Sequence, residues 1–306
     1  MPIAKHFIED RVDMNLSILK RSLKPFRLTS LVATYVLGAG LVQYVRGIHL
    51  WSNFVEGLLF LILGVVGLEL LKLLYDLNNP KNWPEGSHLN QIRQTRWVLV
   101  AVIAVLMTSA TVLFFGWMVK KIVSQGLVLL VVTFLFAGFL YYLAKANRNF
   151  QPFQIFFESF LFVIIPPALA FFLQSDDLHS FLPLMVLGFV PAYLAYRILD
   201  QIARFGEDHG LEKVSFVTQT GWAKGMTFHN ALILLTFFLF ALVSLIKIPW
   251  FLIWPVFLSF PIGLWEIWLM ERVRAGGKPL WRVMKFASAM VFFLPVYLLS
   301  FAFWIR

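Results

Sequence analysis

The chain contains no cysteine, so disulfides and thiolate metal sites are excluded. Charge is scarce as well. Of 306 residues, 14% are Asp, Glu, Lys or Arg, against about 25% in a soluble domain. The six histidines are scattered without ligand spacing, which argues against a zinc enzyme. A Walker A loop, a G-x-S-x-G elbow and an H-E-x-x-H pair are all missing, and with them go many soluble-enzyme classes. The segment 1–27 is polar and mixed in sign, without an apolar stretch ending in a small-residue cleavage site, so no signal peptide is expected.

What the chain has in quantity is apolar surface: 60% of its residues are hydrophobic, including 33 Phe and 11 Trp. Apolar runs of 18 or more residues recur along its length, and about 20 residues suffice for a helix to cross the hydrocarbon core. Spans are expected near 28–46, 51–75, 97–118, 124–144, 152–174, 180–199, 228–247, 249–269 and 286–304. The fold class that follows is all-α: a polytopic membrane protein with about nine transmembrane helices in one bundle. Residues 1–306 read as a single integral membrane domain, with 1–27 as a cytoplasmic N-terminal segment. Trp and Tyr belts at the interfaces, and Phe facing lipid, account for most of the aromatic content.

The net charge of +10 follows the loops. With the N-terminus in the cytoplasm, only Arg46, Lys120, Lys121, Lys247 and Arg306 of the 26 Lys and Arg fall outside. That is the bias of the positive-inside rule. Attraction to anionic inner-leaflet lipid explains the basic loops, whereas a nucleic-acid site would gather them on one soluble face. The expected location is therefore the cell membrane, multi-pass, with the C-terminus outside and no nucleic-acid partner.

Two inner loops are long and polar, Asp76–Arg96 and Asp200–Thr227, so chemistry is expected on the inner side. The first carries Asn78-Asn79-Pro80 and Trp83-Pro84-Glu85-Gly86, which are turn and helix-stop signals. The second carries Glu207-Asp208-His209-Gly210. Their similar placement hints at a repeated helix unit, although no repeat of fixed period is visible.

Ionisable groups inside spans are costly, about 2.5–3.5 kcal/mol at mid-membrane on insertion scales. Glu69, Lys72 and Asp76 share one helix face at the end of the second span. They read either as an intrahelical ion-pair ladder with Lys72 snorkelling outward, or as a polar rim around a substrate headgroup. Asp200, Arg204 and Asp208 follow at i, i+4, i+8, with Glu207 and Lys213 close by. They read either as a self-neutralising surface ladder or as groups that bind phosphate or a divalent ion. Glu158 is a lone carboxylate in the fifth span, ahead of Pro166-Pro167, whose rings should kink the helix and free carbonyls. Glu56 and Glu266 lie nearer span ends and read as interfacial.

Taken in order, these residues resemble the UbiA superfamily of intramembrane prenyltransferases, particularly the branch that prenylates 1,4-dihydroxy-2-naphthoate. The similarity runs from about Leu23 to the C-terminus. Leu23-Lys24-Pro25-Phe26-Arg27-Leu28, followed by Gly38, is similar to the family's opening helix. Gly67-Leu68-Glu69-Leu70-Leu71-Lys72-Leu73-Leu74-Tyr75-Asp76 occupies the place of its first Asp-rich motif, N-x-x-N-D-Y-x-D. Glu158-Ser159-Phe160-Leu161-Phe162 with Pro166 resembles its fifth helix. Arg204 to Gly221 resembles the second motif, D-x-x-x-D-x-x-x-G-K-x-T, with Asp208, Lys213, Ser215 and Gly221 at or close to type.

The resemblance implies a UbiA-like prenyltransferase that moves an isoprenoid chain from a polyprenyl diphosphate to a lipophilic or aromatic acceptor such as a quinone precursor. It implies Asp76, Asp208 and Glu158 as catalytic residues, and Lys72, Arg204 and Lys213 as diphosphate ligands. Asp76, Asp208 and Glu69 would hold Mg²⁺. Two departures bear on that metal: Lys72 and Leu73 stand where the family has Asn-Asp, and Arg204 stands in place of the second motif's first Asp. Mg²⁺ dependence is accordingly expected to be weakened or lost, since a hard cation needs several oxygen ligands. The alternative is a non-catalytic UbiA-like membrane protein that binds a prenyl lipid or a partner. A small-solute transporter would use Glu158 in a midplane relay, but the sequence shows no clearly broken helix pair. The prenyltransferase reading expects Glu69, Lys72, Asp76, Arg204 and Asp208 to converge at the inner interface.

Overall fold

The computed structural model describes residues 24–47, 51–78, 89–175, 179–210, 213–246 and 248–305. The described residues are 89% helical and contain no strand. A chain that satisfies its backbone within helices meets the main demand of a bilayer, which offers no water to unpaired N–H and C=O groups.

Among the described residues, eleven helices follow in order. They are α1 (Pro25–Arg46), α2 (Trp51–Leu77), α3 (Leu89–Val119), α4 (Gln125–Ala146), α5 (Gln151–Phe172), α6 (Phe181–Ala203), the short α7 (Phe205–Gly210) and α8 (Phe216–Thr220), α9 (Trp222–Ile246), α10 (Trp250–Arg274) and α11 (Trp281–Ile305). Among the described residues, nine of these are long and apolar enough to cross a membrane, all but α7 and α8. The protein is a multi-pass membrane protein.

The expected spans are all present, and the differences lie mainly at the polar ends. α9 begins at Trp222 rather than near 228, and α11 at Trp281 rather than near 286. Intrahelical hydrogen bonding does not need apolar side chains, so polar residues such as Lys224, Arg282 and Lys285 continue the helix beyond its apolar run.

By packing, the described residues form two compact units. One holds the residues up to Thr29 with Leu59–Ile122, and the other holds Ser30–Leu58 with Val123 onward. In the first, Leu70 and Leu77 of α2 meet Ile92 and Leu99 of α3, flanked by Val66, Leu73, Leu74, Ile103 and Leu106. The spacing of seven along both helices is the seam of an antiparallel helix pair. Gly67 leaves room for the Met107 methyl group of α3, which would lie 2.5 Å from a Cβ there. The rest of α3 is lipid-facing: its apolar window is the least buried of the nine.

In the second unit α6 is the central element, packing most extensively on α9 and also on α5 and α11. Its interior is dense with rings. Tyr193 stacks on Phe162 at 6.4 Å and meets Phe292 at 5.9 Å, while Phe189 meets Phe240 at 4.9 Å. The abundant Phe therefore builds core as well as lipid-facing surface.

α5 is broken in the way its prolines require. A π-helical stretch, Phe160–Ile164, precedes Pro166-Pro167. Pro166 has no N–H to give to the carbonyl of Phe162. The Thr34 hydroxyl of α1 donates to that carbonyl instead, at 2.9 Å. α1 comes this close because Gly38 faces Pro167: a Cβ on Gly38 would lie 2.4 Å from the Pro167 Cα.

Candidate functional site

Glu158, seven residues into α5, is fully buried. A carboxylate so placed needs donors, and Arg197 of α6 supplies them in a fork: Nε to Oε2 at 2.5 Å and Nη2 to Oε1 at 3.3 Å. Gln154 adds a third donor, Nε2 to Oε1 at 3.2 Å. Such bidentate, charge-assisted pairs are the strong hydrogen bonds of proteins. Glu158 is thus a paired carboxylate, and its partner is a residue that the sequence reading passed over.

Arg197 extends the network to Asp200, one turn further along α6, at 3.2 Å. Asp200 also accepts from Lys285 of α11 at 2.8 Å and from Arg204. Two carboxylates, Glu158 and Asp200, therefore meet three cations, Arg197, Arg204 and Lys285. The cluster carries net positive charge. Its two partly exposed members, Arg204 and Lys285, are the outer ones, while Arg197 is buried beneath them.

The ladder expected over Asp200, Arg204 and Asp208 forms only in its first half. α6 ends at Ala203, and Arg204, as its C-cap, leaves helical geometry with φ −108°. Asp208 therefore belongs to α7, where its nearest cation is Lys213 at 3.9 Å; the Lys213 side chain is itself largely exposed. The loop beyond is ordered by α8. Ser215 and Thr218 close a capping box, and the Val217 N–H donates to Gln201 Oε1 of α6 at 3.2 Å. Gly221 ends α8 at φ +90°, a conformation that favours glycine. Phe216 then tucks against Phe228 of α9 at 5.2 Å and Phe156 of α5 at 6.4 Å.

In the other unit Glu69 is buried and accepts from Arg27 Nη1 at 2.9 Å, with Lys72 Nζ at 3.9 Å from its second oxygen. Lys72 is buried too and does not snorkel to the surface. Asp76 is half-buried one turn further along. Glu69, Lys72 and Arg27 come together, and Arg27 is again a partner that the sequence reading did not single out.

No group of three His, Asp or Glu suited to a metal ion occurs among the described residues. Glu69, Glu158 and Asp200 all spend their oxygens on guanidinium or ammonium groups. A divalent ion of the Mg²⁺ type needs several such oxygens at once, so these carboxylates do not fit one.

Glu266 departs from expectation: it is completely buried rather than interfacial, and lies 3.1 Å from His229 of α9. At eight residues from the C-terminal end of α10 it is still within the packed layer, facing His229 of α9.

Searches of protein-family models and of curated proteins return no match to this chain.

Proposed function

We propose that the chain is a UbiA-like intramembrane prenyltransferase, which binds a polyprenyl diphosphate by cations at its inner face and transfers the isoprenoid chain to a lipophilic or aromatic acceptor. The observation that carries this reading is the cluster of Glu158, Arg197, Asp200, Arg204 and Lys285, with its excess of positive charge at one end of apolar helices. A diphosphate lipid has its anionic head at that depth and its tail in the hydrocarbon. Ionisation of the donor leaves charge on the departing diphosphate, and a preorganised positive field stabilises that charge. Arg204 and Lys285 would turn from Asp200 to the phosphate oxygens, while the fork between Arg197 and Glu158 holds α5 and α6 in register beneath them. Lys72 and Lys213 are further cations proposed to meet anionic headgroups, each within its own unit and each with an acidic neighbour there, Asp76 and Asp208.

A second reading is supported by the same carboxylates. Because Glu69, Glu158 and Asp200 are bound by cations, a protein that holds a prenyl lipid without turning it over would have just this chemistry.

The test uses the full chain in lipid nanodiscs with a radiolabelled polyprenyl diphosphate and 1,4-dihydroxy-2-naphthoate, with and without a chelator. Released diphosphate and prenylated product that persist in chelator support the enzyme, and Lys285→Ala with Arg204→Ala should then weaken donor binding by about 1.5–3 kcal/mol per charged hydrogen bond. Binding without diphosphate release supports the second reading. Neither binding nor release removes both.

The role of the native cations is read separately by pairing Lys72→Asn with Arg204→Asp and titrating Mg²⁺. Loss of donor affinity is expected. If the double substitution instead raises both metal binding and turnover, the cations are remnants of a decayed metal site, and the lipid-binding reading replaces the first.

A further inference from the structure

The ends of α9, α10 and α11 carry a second group of cations, none of which belongs to the cluster around Asp200 or enters the proposed function. Lys224, Arg272, Arg274, Lys278 and Arg282 are all exposed there, against one exposed carboxylate, Glu271. That carboxylate is already engaged. Its oxygens accept from Asn230 Nδ2 of α9 at 2.7 Å and from Arg274 Nη1 at 2.9 Å.

Local structure gathers these cations. Arg274 also donates from Nη2 to the Thr227 hydroxyl at 2.8 Å, which fixes the end of α10 beside the start of α9. Lys224 lies one turn from Thr227 on the same helix face. α10 then closes with a glycine turn: Gly276 takes φ +90°, and the N–H groups of Gly276 and Gly277 donate back to the carbonyls of Val273 and Arg272 at 3.0 and 2.9 Å. The turn is tight, since a Cβ on Gly277 would lie 2.9 Å from Cγ of Arg272. Lys278 therefore follows directly beyond Arg272, and Arg282 stands in the first turn of α11, which packs on α10.

Helix stability does not account for this arrangement. Arg272 and Arg274 are in the last turn of α10, where the macrodipole favours cations, but Lys224 and Arg282 occupy first turns, where it opposes them, and neither first turn holds an acidic residue. The excess charge is free to meet an anion outside the chain. Further into α10 the exposed face turns apolar. Trp268, one turn from Arg272, is 55% exposed with the guanidinium 5.9 Å from its ring, and Trp265 and Leu264 continue the exposed face. Cations, then exposed tryptophan, then exposed aliphatic surface is the order of phosphate, glycerol and chain in a phospholipid. A soluble anion would need the cations alone.

We propose that the ends of α9, α10 and α11 bind the headgroup of an anionic phospholipid of the surrounding bilayer, with Arg272 and Lys278 on its phosphate, Lys224 and Arg282 flanking it, and Trp268 against its glycerol and first methylenes. The guanidinium of Arg272 offers phosphate a two-pronged contact. Selection is by charge, because a zwitterionic lipid brings a cation of its own to a positive patch. Diffuse attraction between basic loops and a membrane face chooses no place; this group of residues does.

Native mass spectrometry of the full chain released from detergent, titrated with phosphatidylglycerol or with phosphatidylcholine of the same acyl chains, counts the bound lipid. A saturable phosphatidylglycerol adduct is expected, well above that of phosphatidylcholine. Arg272→Ala with Lys278→Ala should weaken it roughly 30-fold, a factor of about five for each basic residue removed. Lys120→Ala with Lys121→Ala removes equal charge from another exposed turn and should leave the adduct in place. Equal loss in the two variants, or none in the first, means unlocalised attraction and overturns the site. So does equal binding of the two lipids by the wild type, a comparison that needs no variant. Inorganic phosphate is the remaining arm: if it displaces phosphatidylglycerol at matched concentration, the patch serves a soluble anion and the lipid assignment fails.

Discussion

Arg197 shows how much of the candidate site depends on single side chains. It is buried, and it forks to a carboxylate that is fully buried. Removing one partner of such a pair leaves the other charge stranded, at a cost of about 3–5 kcal/mol, whereas replacing both by apolar groups is often neutral. Arg197→Met should therefore lower the denaturation midpoint in detergent sharply, and Arg197→Met with Glu158→Met should recover most of the loss. If the double variant is as unstable as the single one, the fork is not what makes the site costly to break.

The sequence held half of this. Glu158 stood out as a carboxylate inside an apolar run, but its partner lies 39 residues away, and no spacing rule connects them. A signal was present nonetheless. Arg197 is a charged residue within a span, expensive for the same reason, and placed about as far from the C-terminal end of α6 as Glu158 is from the N-terminal end of α5. Two lone charges of opposite sign at matching depth on successive spans are a pairing that depth arithmetic can find. Glu266 and His229 meet by the same arithmetic, on two helices whose apolar patterns alone do not reveal the facing residues.

At the scale of elements, the helices were legible because apolar runs of this length admit little else, and α5 was legible down to its break. Pro166-Pro167 announced freed carbonyls; the identity of the rescuer, Thr34, depends on how α1 packs and was out of reach. That packing rests on Gly38. A Cβ 2.4 Å from the Pro167 backbone has no flexible side chain to push aside, so Gly38→Ala must move α1 away from α5. Overpacking of this kind costs about 1–3 kcal/mol. The expected outcome is a lowered thermal midpoint, with Thr34→Val lowering it separately by leaving the Phe162 carbonyl unpaired. Gly38→Ala at wild-type stability would show that the two helices are less tightly apposed than their backbone positions state.

At the scale of the whole molecule, what remains is which end of the helices faces the cytoplasm, and the charge pattern carries a prediction. A membrane-crossing chain alternates direction at every span, so nine crossings among the described residues put the start of α1 and the end of α11 on opposite sides. The same alternation places the start of α5, the end of α6, the start of α9, the end of α10 and the start of α11 on one side, the side of Glu158, Asp200, Lys285 and the basic loops. The positive-inside rule expects the side richer in Lys and Arg to be cytoplasmic, and only five of the 26 fall on the other side of this alternation. The prediction is that alkaline-phosphatase fused after Arg306 is active and the same reporter inserted in the loop near Gly210 is silent. A silent fusion at Arg306 with an active one near Gly210 would invert the molecule. The cation cluster would then open away from the cytoplasm, and a diphosphate donor made inside the cell could not reach it directly.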